Sequence, residues 1–397
     1  MSTHRAGFAL AAAGAVLALA APSLAATAPW TTVPGVNPSA IANTLNGVSA
    51  RTSADAWAVG SYTVGDDDRG RNMLAERWNG TAWTQVPTPD VPRFDERLLA
   101  VGASSATEAW AVGSTNKIGF ASTNPLAAHW DGTAWTIVPT PATSGSAKSI
   151  LDGVVSLGPT NAWAVGRSRV NAGNSALVEH WDGTAWSVVP TPNPTVPTGT
   201  TASGAVLTGI SAVSPTDIWA VGSVALLAGT DVRGVTLTEH YDGRSWSVVP
   251  SPNATVRNVL NGVVATGPND VWAVGDTIDT TGTNLPDRTL VEHWNGVAWS
   301  IVRSPNALVE DALAGVTAVS PTDMWAVGTA VDRTGNVPLA RTLTLHWDGA
   351  AWSVVASPNG PTGDTQLAAT SAVPTTGEVW AVGTTGDAPA DTFIVHR

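Results

Sequence analysis

Residues 317–328 read TAVSPTDMWAVG, and near copies stand at 211–222 (SAVSPTDIWAVG) and 264–275 (VATGPNDVWAVG). The word WAVG begins at Trp57, Trp110, Trp163, Trp219, Trp272, Trp325 and Trp380, with spacings of 53, 53, 56, 53, 53 and 55 residues. A period this regular marks stacked copies of one supersecondary unit and is too long for most helical repeats. Each unit is numbered here from 1 to 7 by its WAVG word.

Working outward from that word, four extended stretches recur per unit. In unit 3 they are LDGVVSL, NAWAVG, ALVEHW and AWSVVP. They are rich in Val and Trp, alternate in polarity and are separated by turn words such as GPTN and DG, which reads as strand, turn, strand. The DG or NG before the fourth stretch predicts a two-residue hairpin, because Asn, Asp and Gly tolerate the positive φ of a type I′ turn. Four antiparallel strands repeated seven times predict an all-β fold, a seven-bladed β-propeller. The last unit stops at DTFIVHR, its third stretch, while APWTTVPGVNPS near the N-terminus matches the fourth stretch TAWSVVPTPNPT. Residues 26–40 are therefore expected to complete the blade formed with 364–397, closing the ring and removing the free edges of an open array. The seven WAVG tryptophans are expected to fill the wedges between adjacent sheets.

Composition agrees with a large core: 43% hydrophobic and 13% charged residues, with 19 Trp, 39 Gly and 27 Pro. Residues 1–25 have a short basic start at His4 and Arg5, an apolar run from Gly7 to Ala20, and small residues at Ser23 and Ala25. That pattern is a secretory signal rather than a spanning helix, so the protein is expected to be exported, free or held at the cell envelope. The propeller then occupies 26–397. With 19 Lys and Arg against 31 Asp and Glu, the formal charge is −12, which disfavours nucleic acid and anionic membranes as partners. No membrane insertion is expected, and a monomer is. The chain has no Cys, which excludes disulfides and thiolate metal sites.

The turns DGTAW and DGRSW resemble the Asp-box of sialidase-type propellers, and the whole unit is similar to kelch and galactose-oxidase-like blades, as in a secreted bacterial Trp-rich repeat protein. The resemblance implies architecture. It implies no activity, since neither the sialidase arginine triad with its tyrosine nor a copper-site pattern has counterparts here.

Three sets of residues carry potential chemistry. Six histidines share one position (His129, His180, His240, His293, His346 and His396), with Arg77 in unit 1. Neighbouring third strands lie too far apart to share a metal, so a repeated packing role is expected. Acids two places before the WAVG Trp (Asp55, Glu108, Asp217, Asp270, Asp323 and Glu378) are expected to bond backbone amides in the turn that precedes them. Function is expected instead on the segments that differ between units, which a propeller gathers on one side. The candidate ligand-binding groups there are Asp66, Asp67, Asp68, Arg69, Arg71, Arg93, Arg169, Arg233, Arg288, Arg333 and Arg341. No cofactor is expected, although DDDRGRN could suit Ca²⁺. No phosphate loop, GxSxG elbow or HExxH word occurs, so no catalytic residue is assigned. The expected function is binding of a glycan or a protein through the variable-loop side. An enzyme acting on carbohydrate or cell-wall polymer, and an extracellular scaffold, are the alternatives.

Overall fold

The computed structural model describes residues 29–65, 70–91, 94–117, 123–141, 146–170, 173–192, 194, 200–229, 231–278, 287–335, 337–387 and 389–397. Residues 1–25, expected from the sequence to be a secretory signal, lie outside them. Throughout the described residues the regular structure is β-strand. In unit 1, Asn43–Thr52, Asp55–Thr63, Arg71–Trp78 and Trp83–Gln85 pair antiparallel in that order. The same order recurs around each WAVG word. Units 2 to 5 are joined into one sixteen-stranded mixed sheet, but only by single parallel pairings: Thr123 with Lys148, Asn174 with Gly204, and Gly234 with Arg257. In the last unit, Thr365–Ala372, Val379–Thr385 and Asp391–His396 pair in order, and Thr31–Thr32 lies antiparallel to the third of these.

Between units the contact is aromatic. The WAVG Trp of one unit is buried against the third- and fourth-strand aromatics of the next. Trp57 meets Trp130 and Trp135, both at 5.0 Å between ring centroids, and Trp110 meets Trp181 and Trp186, both at 4.9 Å. Trp219 meets Trp294 at 5.1 Å and Trp299 at 5.4 Å. Most fourth-strand contacts are edge-on, the arrangement that the ring quadrupoles favour. In unit 6, Trp325 meets Trp30 at 5.5 Å, and the place of a third-strand Trp is taken by Arg397, whose guanidinium carbon sits 3.7 Å from the ring centroid.

Histidine covers the other part of each indole. His240 stacks on Trp219 at 4.4 Å, and its Nε2 lies 2.8 Å from Asp217 Oδ1. His129 with Glu108, His293 with Asp270 and His346 with Asp323 repeat the pair at 2.9, 2.7 and 2.9 Å. Arg77 serves in unit 1, with Nε 3.0 Å from Asp55 Oδ1. The acids before each Trp thus correct the expectation of backbone caps, for a period-two reason. Side chains at i and i+2 share a strand face, and His stands directly opposite Trp on the next strand, so acid, indole and imidazole meet.

The DG hairpins also differ in register from the expected two-residue turn. Trp130 pairs with Trp135 and Asp131 N donates to Ala134 O, so Gly132 and Thr133 are the central pair. Gly132 has φ 94° at the first central position, the pattern of a type II′ turn. Asp131 Oδ1 accepts from the amides of Thr133 and Ala134 and from the Thr133 hydroxyl, which holds its carboxyl below the usual range.

Glutamate occupies the face opposite histidine. Glu179, Glu239 and Glu292 precede their histidines and are fully buried. Glu76 takes the amide of Val36 at 3.1 Å, from the segment trailing the last unit, whereas neither oxygen of Glu179 or Glu239 meets a donor among the described residues. Burial pushes the carboxyls of Glu179, Glu239 and Glu292 up to about 8 and that of Glu76 to about 7. Ala128, Leu345 and Val395 hold the same place in units 2, 6 and 7, which marks it as core.

Two predictions follow from this packing. Trp272→Ala, which leaves a void beside Trp347 and Trp352, is expected to cost about 3–5 kcal/mol of unfolding free energy in denaturant titration. Stability should also fall with pH. An acid with a raised folded pKa binds more protons folded than unfolded, so its contribution is complete below about pH 4.5 and is lost as pH rises toward 8. Melting temperature is expected to be higher at pH 5 than at pH 9, and a Glu179→Gln, Glu239→Gln, Glu292→Gln variant to flatten that slope.

Candidate functional site

The first strands carry a shared Leu-x-Gly/Ala word: 45–47, 98–100, 151–153, 207–209, 260–262, 313–315 and 367–369. At each one the pairing with the second strand skips the middle residue. That residue is a β-bulge, an extra residue pushed out of the ladder. The bulge explains the last letter of WAVG. Leu45 pairs with Gly60, where a Cβ would sit 1.9 Å from the carbonyl oxygen of Thr44, and Gly275 would meet Val259 O at 2.0 Å. Neighbouring first strands also approach closely, since a Cβ on Gly262 would lie 3.0 Å from the Cα of Gly315.

The bulged residues Asn46, Leu99, Asp152, Thr208, Asn261, Ala314 and Ala368 face one central cavity of about 250 Å³. Three of them link one unit to the next. Asn46 Nδ2 donates to Leu98 O at 2.8 Å, Thr208 Oγ1 to Leu260 O at 2.6 Å, and Asn261 Nδ2 to Leu313 O at 2.8 Å. Asp152 departs from the pattern. An ionised carboxylate has no proton to donate, and its Oδ2 instead accepts from Arg167 Nη1 at 3.1 Å. Burial pushes the Asp152 carboxyl up to about 6, with Arg167 opposing the rise.

The residue after WAVG shows the same break in repetition. It is Ser61, Ser114, Ser223, Thr329 or Thr384 in five units, but Arg167 in unit 3 and Asp276 in unit 5. Asn261 donates to Asp276 at 3.1 Å. Burial raises the Asp276 carboxyl; the Asn261 hydrogen bond opposes this and Asp287 adds to it. Polar groups therefore run through units 3, 4 and 5, while Leu99, Ala314 and Ala368 make the remaining side apolar except at Asn46.

The arginines singled out in the sequence lie where second and third strands join. Arg71 Nη1 is 3.6 Å from Asp95 Oδ1, and Asp95 also takes Arg97 at 2.8 Å. Arg333 bonds Glu310 Oε1 at 2.5 Å. Arg288 acts electrostatically on Asp311 and Arg341 on Asp332. Arg169 and Arg233 are exposed, at register positions opposite Asn174 and Leu226. Among the described residues Arg71, Arg288, Arg333 and Arg341 each have a separate acidic neighbour and none in common. Asp66, Asp67, Asp68, Arg69 and Arg93 lie outside the described residues, as does the core of the Ca²⁺ candidate. Among the described residues no group of three or more His, Asp or Glu is placed to hold a metal ion, and no helix is long and apolar enough to cross a membrane. The bulge residues were missed in the sequence reading, although a fixed Leu-x-Gly/Ala with a variable x was there to be seen.

No protein-family model matches the chain, and no curated protein matches its sequence. Solved structures do resemble it. A structure of YCF48 bound to D1 peptide superposes with a TM-score of 0.52 at 14% identity, covering 93% of this chain and 96% of that one. YCF48 from Cyanidioschyzon merolae gives 0.50 at 12%, covering 93% and 98%. A PL25 polysaccharide lyase, an ulvan lyase bound to a GlcA(1-4)Rha3S saccharide, gives 0.54 at 11%, covering 90% and 96%. At these identities the likeness is one of fold, and with the Trp-rich repeated strands it makes this chain an all-β protein of the β-propeller type.

Proposed function

We propose that the chain is an exported binding protein, a closed ring of seven blades that recognises a glycan through its variable-hairpin side and central cavity. The observation that carries this reading is the break in repetition at the cavity. Units that otherwise repeat their packing closely differ in the bulged residues that face it, with Asp152 and Asn261 on one side, bonded from behind by Arg167 and Asp276. A rigid frame that varies only at a cavity and in its hairpins is built to hold a ligand.

Ring closure draws support from both ends of the chain. Thr31 and Thr32 pair with His396 and Val395, and Trp380 of unit 7 packs on Trp78 at 4.9 Å and Trp83 at 5.2 Å in unit 1. Export rests on the character of residues 1–25. The Asp131-type turns, with a side chain capping two amides, support the Asp-box comparison in kind, and the four-stranded units support the kelch one.

A second reading, an enzyme acting on a polysaccharide, draws on the ulvan lyase likeness and on Asp152, whose carboxyl is raised into the range useful for proton transfer. A scaffold has less to stand on. The exposed apolar residues of the outer strands, Ile137, Val188, Ile301 and Val354, come one per unit on separate strands.

Deleting residues 26–40 is expected to lower the melting temperature by several degrees in calorimetry, and an unchanged value would refute closure. A glycan array run with the mature protein beside an Arg71→Ala, Arg233→Ala, Arg288→Ala, Arg341→Ala variant is expected to show saccharide binding that the variant loses. Capture of a protein with no glycan signal from either form would turn the reading to a protein ligand.

A further inference from the structure

Asp152 occupies a position where asparagine does structural work twice. Asn46 and Asn261 each donate to the leucine carbonyl of the following unit at 2.8 Å, and the corresponding carbonyl for Asp152 is that of Leu207. The acid gives up that link and accepts burial. Arg167 likewise stands where five units carry a small hydroxyl. Asp152 lines the cavity, and Arg167, the second departure from the repeat, bonds its carboxylate at 3.1 Å. Such local violations of an otherwise consistent pattern are retained where function requires them.

We infer that Asp152, held by Arg167, forms with Asn46 and Asn261 a subsite for a single neutral, polyhydroxylated ring of a glycan; this rests on the cavity reading above. The lining is rich in acceptors. Among the described residues no donor reaches Asp152 Oδ1, Asn46 Oδ1 or Asn261 Oδ1, and all three residues are partly exposed in the cavity. Sugar hydroxyls donate to such oxygens, and Arg167 orients the Asp152 carboxylate that receives them. Leu99, Ala314 and Ala368 offer an apolar side for the C–H face of the ring. An anion would meet Asp152 in a chain of formal charge −12, and a bare cation would meet a carboxylate already paired with Arg167. About 250 Å³ falls below the volumes that take drug-sized ligands, so one ring enters and the rest of a chain would lie toward the hairpins.

Saturation-transfer NMR on the mature protein with glucose, galactose, mannose and N-acetylglucosamine tests this directly. At least one sugar is expected to receive saturation. Asp152→Asn and Arg167→Gln are each expected to weaken it about tenfold, the effect of removing a charged hydrogen-bond partner. Asp152→Asn should melt at or above the wild-type temperature, because asparagine can make the missing link to Leu207. Val354→Ala, exposed on an outer strand, should leave monosaccharide binding unchanged. No saturation of any of the four sugars, wild-type affinity in both cavity variants, or a lowered melting temperature in Asp152→Asn would each overturn the subsite. Loss of intact-glycan binding in the four-arginine variant with full binding in both cavity variants would remove the subsite and leave the hairpin-side reading standing.

Discussion

Everything in this molecule depends on one buried contact, the indole of WAVG caught between its own unit and the next. A single four-stranded sheet with two apolar faces has no stable existence in water, and each unit supplies a large ring to cover its neighbour. The indole is positioned from behind by an imidazole, itself held by a carboxylate on the same strand face as the tryptophan. Trp219, with His240 and Asp217 on one side and Trp294 and Trp299 on the other, shows the whole arrangement. Repetition of tryptophan, histidine and acid at fixed offsets is the sequence expression of that sandwich.

A second constraint governs the centre. First strands crowd together at the cavity, so one glycine opposite each bulge leaves room for backbone where a Cβ would collide, and in five units a second glycine beside the bulge eases the approach of the neighbouring strand. The bulge turns one side chain per unit out of the ladder and into shared space. The fold thereby separates two jobs: the rings between units are held almost constant, and the bulged residue is free to vary. Asn46, Thr208 and Asn261 use that freedom to tie units together, and Asp152 uses it differently.

Burial on both faces of every sheet also accounts for the glutamates. In a half-exposed sheet the Glu before each His would face water, but here the preceding unit covers that side, as the contact of Val36 with Glu76 shows. Burial there shifts the carboxyl's titration toward neutral pH, which couples the stability of the assembly to pH.

Period, strand pattern and the structural role of the tryptophans were legible in the sequence, because they arise from short-range rules: alternation along a strand, turn residues with special φ, and a large ring repeated at one offset. The placement of the arginines at the hairpin side followed from connectivity alone. Local patterns could not show that the middle residues of Leu-x-Gly/Ala words meet at one cavity, that acids before tryptophan reach histidine rather than their own turn, or that glutamates in EHW words are enclosed. Asp152 and Asn261 are 109 positions apart and share a cavity only because the packing of successive units brings their first strands to the same centre. Pattern within a unit is a property of the chain; what faces what between units is decided by the geometry of their packing.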